Sequence, residues 1–350
     1  MKAVYHKYIL NFKRPSGTSR GVLNEKETWF IVLEENGKKG IGECGILRGL
    51  SIDDHPDYEE KLRWVCNNIQ LGKDELWEAL LEFPSIQFGI EMAFLSLESQ
   101  NPFLLFPSDF TNGTKSIEIN GLVWMGEEAF MKQQIEEKLA DGFRCIKLKI
   151  GAIDFDKELQ LLRYIREHFT MEQIEIRVDA NGAFDSNEAL FKLNQLSGFK
   201  LHSIEQPIKK NNTDSMSELC KSTPFPIALD EELIGVFTLA EKEDLLLKIK
   251  PQYIILKPSF VGGFRGTQEW ILLAEKHNIG WWITSALESN IGLNAIAQWT
   301  FTLNNPMPQG LGTGALYTNN FDCPLTVFQG QLWYSNDLDW NLDINKTFGS

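Results

Sequence analysis

The 350-residue sequence has no run of about 18 or more apolar residues, so it lacks a helix able to cross a bilayer core. Its opening stretch, MKAVYHKYILNFKRP, has neither the apolar segment nor the small-residue cleavage site of a secretory signal, and the chain is expected to stay in the cytoplasm, away from membranes. Basic residues are in deficit: 34 Lys and Arg face 48 Asp and Glu, a formal charge of −14, and no basic cluster offsets it. That balance argues against nucleic acid and anionic membrane surfaces as partners. The five cysteines, Cys44, Cys66, Cys145, Cys220 and Cys323, are odd in number and never spaced C-x-x-C, which excludes a disulfide framework and a thiolate zinc site and leaves buried thiols. The five histidines have no metal-ligand spacing, so none receives a chemical role. No G-x-G-x-x-G follows a first strand, which counts against a doubly wound dinucleotide-binding sheet.

What is present divides in two. Residues 1–112 read as an α+β unit. Tyr5 to Phe12 forms a strand, and Thr28 to Glu34 and Lys39 to Cys44 form a hairpin whose Asn36-Gly37 turn has type I′ chemistry. Pro15 to Gly21 is small and polar, as a loop would be, and Ser16 to Gly21 is expected to close over a site as a lid, with Arg20 as its one charge. Helical periodicity follows at Asp57 to Ile69, Glu75 to Leu81 and Gln87 to Ser99.

From Ser116 the pattern becomes a strict alternation of strand and helix. Candidate strands begin near Ile117, Cys145, Ile174, Leu201, Pro226, Tyr253, Gly280 and Pro308, at steps of 28, 29, 27, 25, 27, 27 and 28 residues by subtraction. The intervening helices are one-sided, as in Asp154 to Phe169, where Phe155, Leu159, Leu162, Ile165 and Phe169 recur at helical spacing. Eight such units imply an α/β fold, a parallel (β/α)8-type TIM barrel over 113–316. Residues 317–350 are expected to return to the N-terminal unit and complete an α+β capping domain with it.

Chemistry in such barrels sits where strands end, and here those ends are charged. In Cys145-Ile146-Lys147-Leu148-Lys149-Ile150 the period of two puts both lysines on one face. The following strands end in Asp179, Glu205 and Asp230, and the next in Lys257. Three carboxylates converging in a partly buried mouth repel one another unless a cation sits among them. Oxygen ligands without Cys or His select a hard ion, and Mg²⁺ suits the set, with Mn²⁺ as a substitute.

Lys147-Leu148-Lys149, Val178-Asp179-Ala180-Asn181-Gly182, Ile204-Glu205-Gln206-Pro207, Leu229-Asp230-Glu231 and Leu256-Lys257-Pro258, in this order, resemble the enolase superfamily, muconate-lactonising subgroup. The resemblance spans nearly the whole chain. It implies that Mg²⁺ held by Asp179, Glu205 and Asp230 binds a small-molecule carboxylate and stabilises the enediolate formed when its α-proton leaves. Lys149 is then the base, Lys147 its auxiliary and Lys257 a second acid/base or fixed cation. A lysine base needs its pKa lowered from ~10.4 toward ~7–8, a cost of about 4 kcal/mol, and a like-charged neighbour such as Lys147 works in that direction. Within the subgroup the chain most resembles the o-succinylbenzoate synthase family, through Ser285 to Leu293 and Gln309 to Gly314. Arg20 and Ser285 are the expected substrate contacts. Dipeptide epimerases carry an Asp-x-Asp pair at the eighth strand to hold a substrate ammonium, where this chain has Gly312-Thr313-Gly314. An N-acylamino-acid racemase or dipeptide epimerase on the same scaffold is the alternative. A non-catalytic binding barrel would be expected to have lost a lysine or a ligand, and all six are present. No oligomeric state follows from the sequence.

Overall fold

The computed structural model describes residues 1–18 and 21–348. An antiparallel sheet opens the chain: β1 (Lys2–Thr18), β2 (Gly21–Glu35) and β3 (Lys38–Gly45) pair in that order. Asn36 and Gly37 both take positive φ, as the Asn-Gly turn requires. Within the expected loop, Ser16, Gly17 and Thr18 instead continue the first hairpin, paired to Leu23, Val22 and Gly21. The ladder breaks only between Asn11 and Ser16, around Pro15, which has no N–H to donate. Ser19 and Arg20, the tip of the expected lid, lie outside the described residues.

Helices α1 (Tyr58–Asn67), α2 (Gly72–Glu78) and α3 (Pro84–Glu98) follow. α3 is apolar almost all round, as a helix packed on two sides must be. Its Ile86, Ile90, Phe94 and Leu97 join the core under the N-terminal sheet, while Phe88 and Met92 join the core of the barrel. The helix touches β3 backbone to backbone, because a Cβ on Gly42 would lie 1.8 Å from the Gly89 carbonyl oxygen and one on Gly40 would lie 2.4 Å from that of Ala93.

Next along the chain come β4 (Ile117–Glu118), β5 (Gly121–Val123), α4 (Glu128–Ala140), β6 (Cys145–Lys149), α5 (Phe155–His168), β7 (Glu175–Asp179), α6 (Ala189–Leu196), β8 (Ser203–Glu205), α7 (Thr213–Ser222), β9 (Ile227–Leu229), α8 (Leu239–Ile249), β10 (Tyr253–Leu256), α9 (Pro258–Val261), α10 (Gly263–Lys276), β11 (Gly280–Ile283) and α11 (Asn290–Thr302). β5 to β11 form one parallel sheet of seven strands. Two bridges, Ile119 to Gln309 and Thr284 to Gly310, close it into a barrel. The strand expected from Pro308 is therefore reduced to these two residues, and the strand expected from Ile117 is displaced. Ile117 and Glu118 pair antiparallel with the tail instead, and the first barrel strand starts at Gly121.

The tail contributes β12 (Leu325–Phe328), β13 (Gln331–Tyr334) and α12 (Ile344–Phe348), the first two forming a small sheet with β4. Other parts of it do reach the N-terminal sheet. The Asn319 amide bonds the backbone of Asn11 and Ile9, and Phe321 and Phe348 pack on Phe30. All five cysteines are free, and no helix among the described residues is long and apolar enough to cross a membrane.

Cap and barrel are joined by Glu91 of α3, whose carboxylate accepts from the backbone N–H of Phe264 at 2.5 Å and of Arg265 at 3.2 Å, in the first turn of α10. Burial pushes this carboxyl up to about 7, against the pull of those two amides. Between about pH 4.5 and 7 the folded protein thus binds more protons at this group than the unfolded chain, so its contribution to stability falls as pH rises through that window. Denaturant titrations of wild type and Glu91→Gln are expected to show a difference in unfolding free energy that changes by about 3 kcal/mol across the window and is flat above about pH 8. Gly42→Ala, which drives a methyl group into the α3 backbone, is expected to destabilise by about 3 kcal/mol or more in the same assay.

Candidate active site

The alternation in β6 is realised as its sequence demands. Ile146, Leu148 and Ile150 enter the core between sheet and helices, and Lys147 and Lys149 point into the barrel, where both are buried. The parallel register then aligns the charges, with Lys149, Asp179 and Glu205 as direct partners across β6, β7 and β8. Asp230 follows β9 and Lys257 follows β10, each one residue past its strand. All six expected catalytic and metal-site residues meet at the C-terminal mouth.

There the lysines interleave with the acids. Lys147 Nζ donates to Glu205 Oε2 and lies 2.8 Å from Asp179 Oδ2. Lys149 Nζ donates to Asp179 Oδ2 at 2.5 Å and to Asn181 Oδ1 at 2.9 Å. Lys257 Nζ donates to Asp230 Oδ2 and stands 3.9 Å from Glu205 Oε1. Burial works against ionisation of Lys147, Lys257 and the three acids, and the neighbours decide the outcome. Asp179 is held well below the usual carboxylate range by Lys147 and Lys149, and Asp230 is lowered by Lys257. Lys147 is raised by Asp179 and Glu205, and Lys257 by Asp230 and Glu205, so both ammoniums are held charged.

Glu205 is the exception. Burial, with Asp179 and then Asp230 adding to it against Lys147, pushes its carboxyl up to about 8. Its Oε1 is buried and accepts no hydrogen bond. A buried carboxylate oxygen without a partner is costly, and an all-oxygen set with one orphaned acceptor at its centre fits a hard divalent cation. Among the described residues no three acid, His or Cys side chains are gathered as a coordination shell; the lysine ammoniums stand between the carboxylates.

Two supporting residues were quoted in the motifs without a role. Asn181, at φ 45°, receives the Lys149 ammonium on Oδ1 and donates through Nδ2 to Glu231 Oε1 at 2.9 Å. Gln206, at φ 41°, accepts from the backbone N–H of Asp230 and Glu232 and donates to the Ile208 carbonyl, tying the loops that carry two of the acids. The available signal was local: Asn tolerates the left-handed region and stands two residues beyond Asp179. Gln206 has no such signal, since its partners come from the next strand.

A cavity of about 180 Å³ opens over the charged cluster. Lys147, Lys149, Asn181 and Lys257 line its floor side, and Val22, Leu23, Leu47 and Leu50 of the N-terminal unit line its cover. Ser285 lines it as expected and shares a 2.7 Å hydroxyl hydrogen bond with Thr313 at the closing strand. Asn120 and Trp124, which flank the first barrel strand, were not anticipated.

Residues 1–97 match the family described as MenC, N-terminal domain, and residues 130–335 match the family described as enolase C-terminal domain-like. The o-succinylbenzoate synthase of Desulfotalea psychrophila is 48% identical over 366 aligned positions, covering 96% of this chain and 99% of that one. The crystal structure of MenC from Desulfotalea psychrophila superposes with a TM-score of 0.85 at 44% identity, over 95% of this chain and 99% of that one. The L-Ala-D/L-Glu epimerase of Bacillus subtilis is more distant, at 23% identity over 87% of this chain and 83% of that one. With both family matches in chain order and a near full-length relative at this identity, the chain belongs to the enolase superfamily and, within it, to the o-succinylbenzoate synthase (MenC) family.

Proposed function

We propose that this protein is a cytoplasmic Mg²⁺-dependent o-succinylbenzoate synthase of menaquinone biosynthesis, removing water from 2-succinyl-6-hydroxy-2,4-cyclohexadiene-1-carboxylate to give 2-succinylbenzoate. Residues 113–316 are the catalytic barrel, and 1–112 with 317–350 its cap. The 48% identity to an o-succinylbenzoate synthase over nearly the full length carries the choice within the superfamily, and the closing strand sets it against a dipeptide epimerase. Gly312-Thr313-Gly314 presents a hydroxyl bonded to Ser285 where a substrate ammonium would need a carboxylate. A dicarboxylate substrate has no cation to place there, and a dipeptide would leave its ammonium unpaired.

Asp179, Glu205 and Asp230 would hold the metal, Glu205 offering the oxygen that has no other partner. When bound, the ion supplies Lewis-acid neutralisation of charge developing on the substrate carboxylate. Lys149 removes the α-proton, breaking the C–H bond, and returns that proton to the hydroxyl leaving from the same face, so that water departs and the ring becomes aromatic. The Asn181 side chain fixes its ammonium through a neutral oxygen. Lys257, raised by Asp230 and Glu205 against burial, remains charged and faces the negative charge that forms. Lys147 holds Asp179 and Glu205 in place. The apolar cover from Val22, Leu23, Leu47 and Leu50 excludes water, strengthening these interactions.

Purified protein with the cyclohexadiene acid and Mg²⁺ is expected to form the aromatic product, read by ultraviolet absorbance, and exhaustive chelation to stop it. Mg²⁺ is also expected to raise the thermal midpoint of wild type but not of Asp179→Asn, a readout independent of turnover. Lys149→Arg, which cannot give up a proton, is expected to lower kcat by at least about 10²-fold. Lys257→Arg keeps the charge and is expected to retain measurable dehydration; the opposite ranking would exchange the two roles.

A further inference from the structure

Behind the catalytic cavity lies a second buried charge cluster that the reaction as derived does not use. Lys26 of β2 is 3% exposed, and its Nζ has no hydrogen-bond partner among the described residues. Two fully buried carboxylates share this seam: Glu43 of β3, bonded by the Thr28 hydroxyl that a Cβ on Gly45 would meet together with the Lys26 Nζ, and Glu288 of the loop after β11, whose carboxyl is raised by burial against the pull of Lys26. Gly45 and Gly292 leave room for the group. A Cβ on Gly45 would stand 2.6 Å from the Lys26 Nζ, and one on Gly292 would stand 2.8 Å from Glu43 Oε2 and 2.9 Å from the Glu288 side chain.

Hydrogen bonding distinguishes the two acids. Glu43 is occupied as a helix cap, accepting from the Thr28 hydroxyl, the Ser289 hydroxyl and the backbone N–H of Ser289 and Gly292 at the start of α11. Glu288 instead spans two walls of the catalytic cavity. Its Oε1 accepts from the Ser259 hydroxyl and its Oε2 from the Ala286 N–H at 2.8 Å. Ser259 lies in the turn that starts at Lys257, closed by the Phe260 N–H on the Lys257 carbonyl at 2.8 Å. Phe260 and Ala286 both face the cavity. Next to Ala286, Leu287 is held at φ 61°, a region costly for a branched side chain, with its carbonyl bound by the Tyr317 hydroxyl at 2.6 Å.

We propose that Glu288 is a positioning residue for the reaction: it ties the Lys257 turn to the Ala286 wall, and Lys26, reaching in from the cap, is the cation of the buried cluster it belongs to, so that seating of the cap sets the aim of Lys257. The proposal rests on Lys257 acting in the reaction. Removing Lys26 leaves Glu43 and Glu288 as two buried acids without their cation, which strains the loops they hold. Removing Glu288 breaks the tie itself, and with the tie gone the loss of Lys26 adds little.

The experiment compares wild type, Lys26→Met, Glu288→Gln, the double variant and Ser259→Ala as full-length proteins. In Lys26→Met and Glu288→Gln, kcat is expected to fall by about 10- to 100-fold, the scale of a small misplacement of a reacting group, with KM within about threefold. Ser259→Ala, which cuts the link without touching a charge, is expected to lower kcat with the denaturation midpoint kept. The double variant is expected to have a kcat close to that of Glu288→Gln rather than the product of the two single losses, a coupling read by the mutant cycle. Amide hydrogen exchange reads the clamp without substrate, and the peptide covering 257–262 is expected to exchange about tenfold faster in both single variants. Unchanged exchange overturns the proposal, as does faster exchange with wild-type kcat, which would make the cluster a purely structural seam. A wild type that does not convert the cyclohexadiene acid refutes the functional reading, while exchange over 257–262 still decides the clamp.

Discussion

Three carboxylates buried together at the end of a barrel require three cations, and the rest of the mouth is arranged around that requirement. Lys147, Lys149 and Lys257 supply them from the strands on either side, and the parallel register places Lys149, Asp179 and Glu205 at one level. The pairing is uneven. Asp179 receives two ammoniums, Asp230 one, and Glu205 keeps one oxygen without a partner. Burial would make any of these groups expensive alone, so Asp179, Asp230, Lys147 and Lys257 hold one another charged, while Glu205, pushed up by burial and its acid neighbours, keeps the unsatisfied acceptor.

The cap does more than cover this cluster. α9, the turn that begins at Lys257, is gripped from the N-terminal unit on several sides. Trp77 Nε1 donates to the Gly262 carbonyl at 3.0 Å, Gln87 holds the Trp77 carbonyl, and Glu91 caps the next helix. Arg265 stacks over Trp77 at 4.0 Å and pairs with Glu78 at 2.6 Å. α3 makes this possible because Gly40, Gly42 and Gly89 let it lie against β3 at backbone distance while its other face enters the barrel core. One helix thus belongs to both cores, which is a physical reason for the two units to move as little as possible relative to the Lys257 turn.

Much of this was legible in the chain itself. The 3.6- and 2-residue periods, a 27-residue repeat and the acids and lysines at strand ends are local properties, each decided within a few residues, and together they prescribed a barrel with Lys147, Lys149, Asp179, Glu205, Asp230 and Lys257 at its mouth. Local reasoning failed where pairing partners are distant. Ser16 to Thr18 has loop composition but extends a hairpin, because Leu23 and Val22 are there to pair with it. Ile117 has strand composition but belongs to the tail's sheet, because β13 competes for it with the barrel.

The seam between cap and barrel was invisible for the same reason. Lys26, Glu43 and Glu288 are 17 to 262 positions apart by subtraction and carry no motif, and only folding shows that one ammonium is buried among two acids behind Ser259. The sequence by itself determined which residues alternate, which face each side chain takes and what chemistry converges where strands end, since these follow from the geometry of single elements. The tertiary structure alone decided which charge neutralises which and which acid oxygen is left over, because those depend on burial and on distances between segments that the order of residues does not contain.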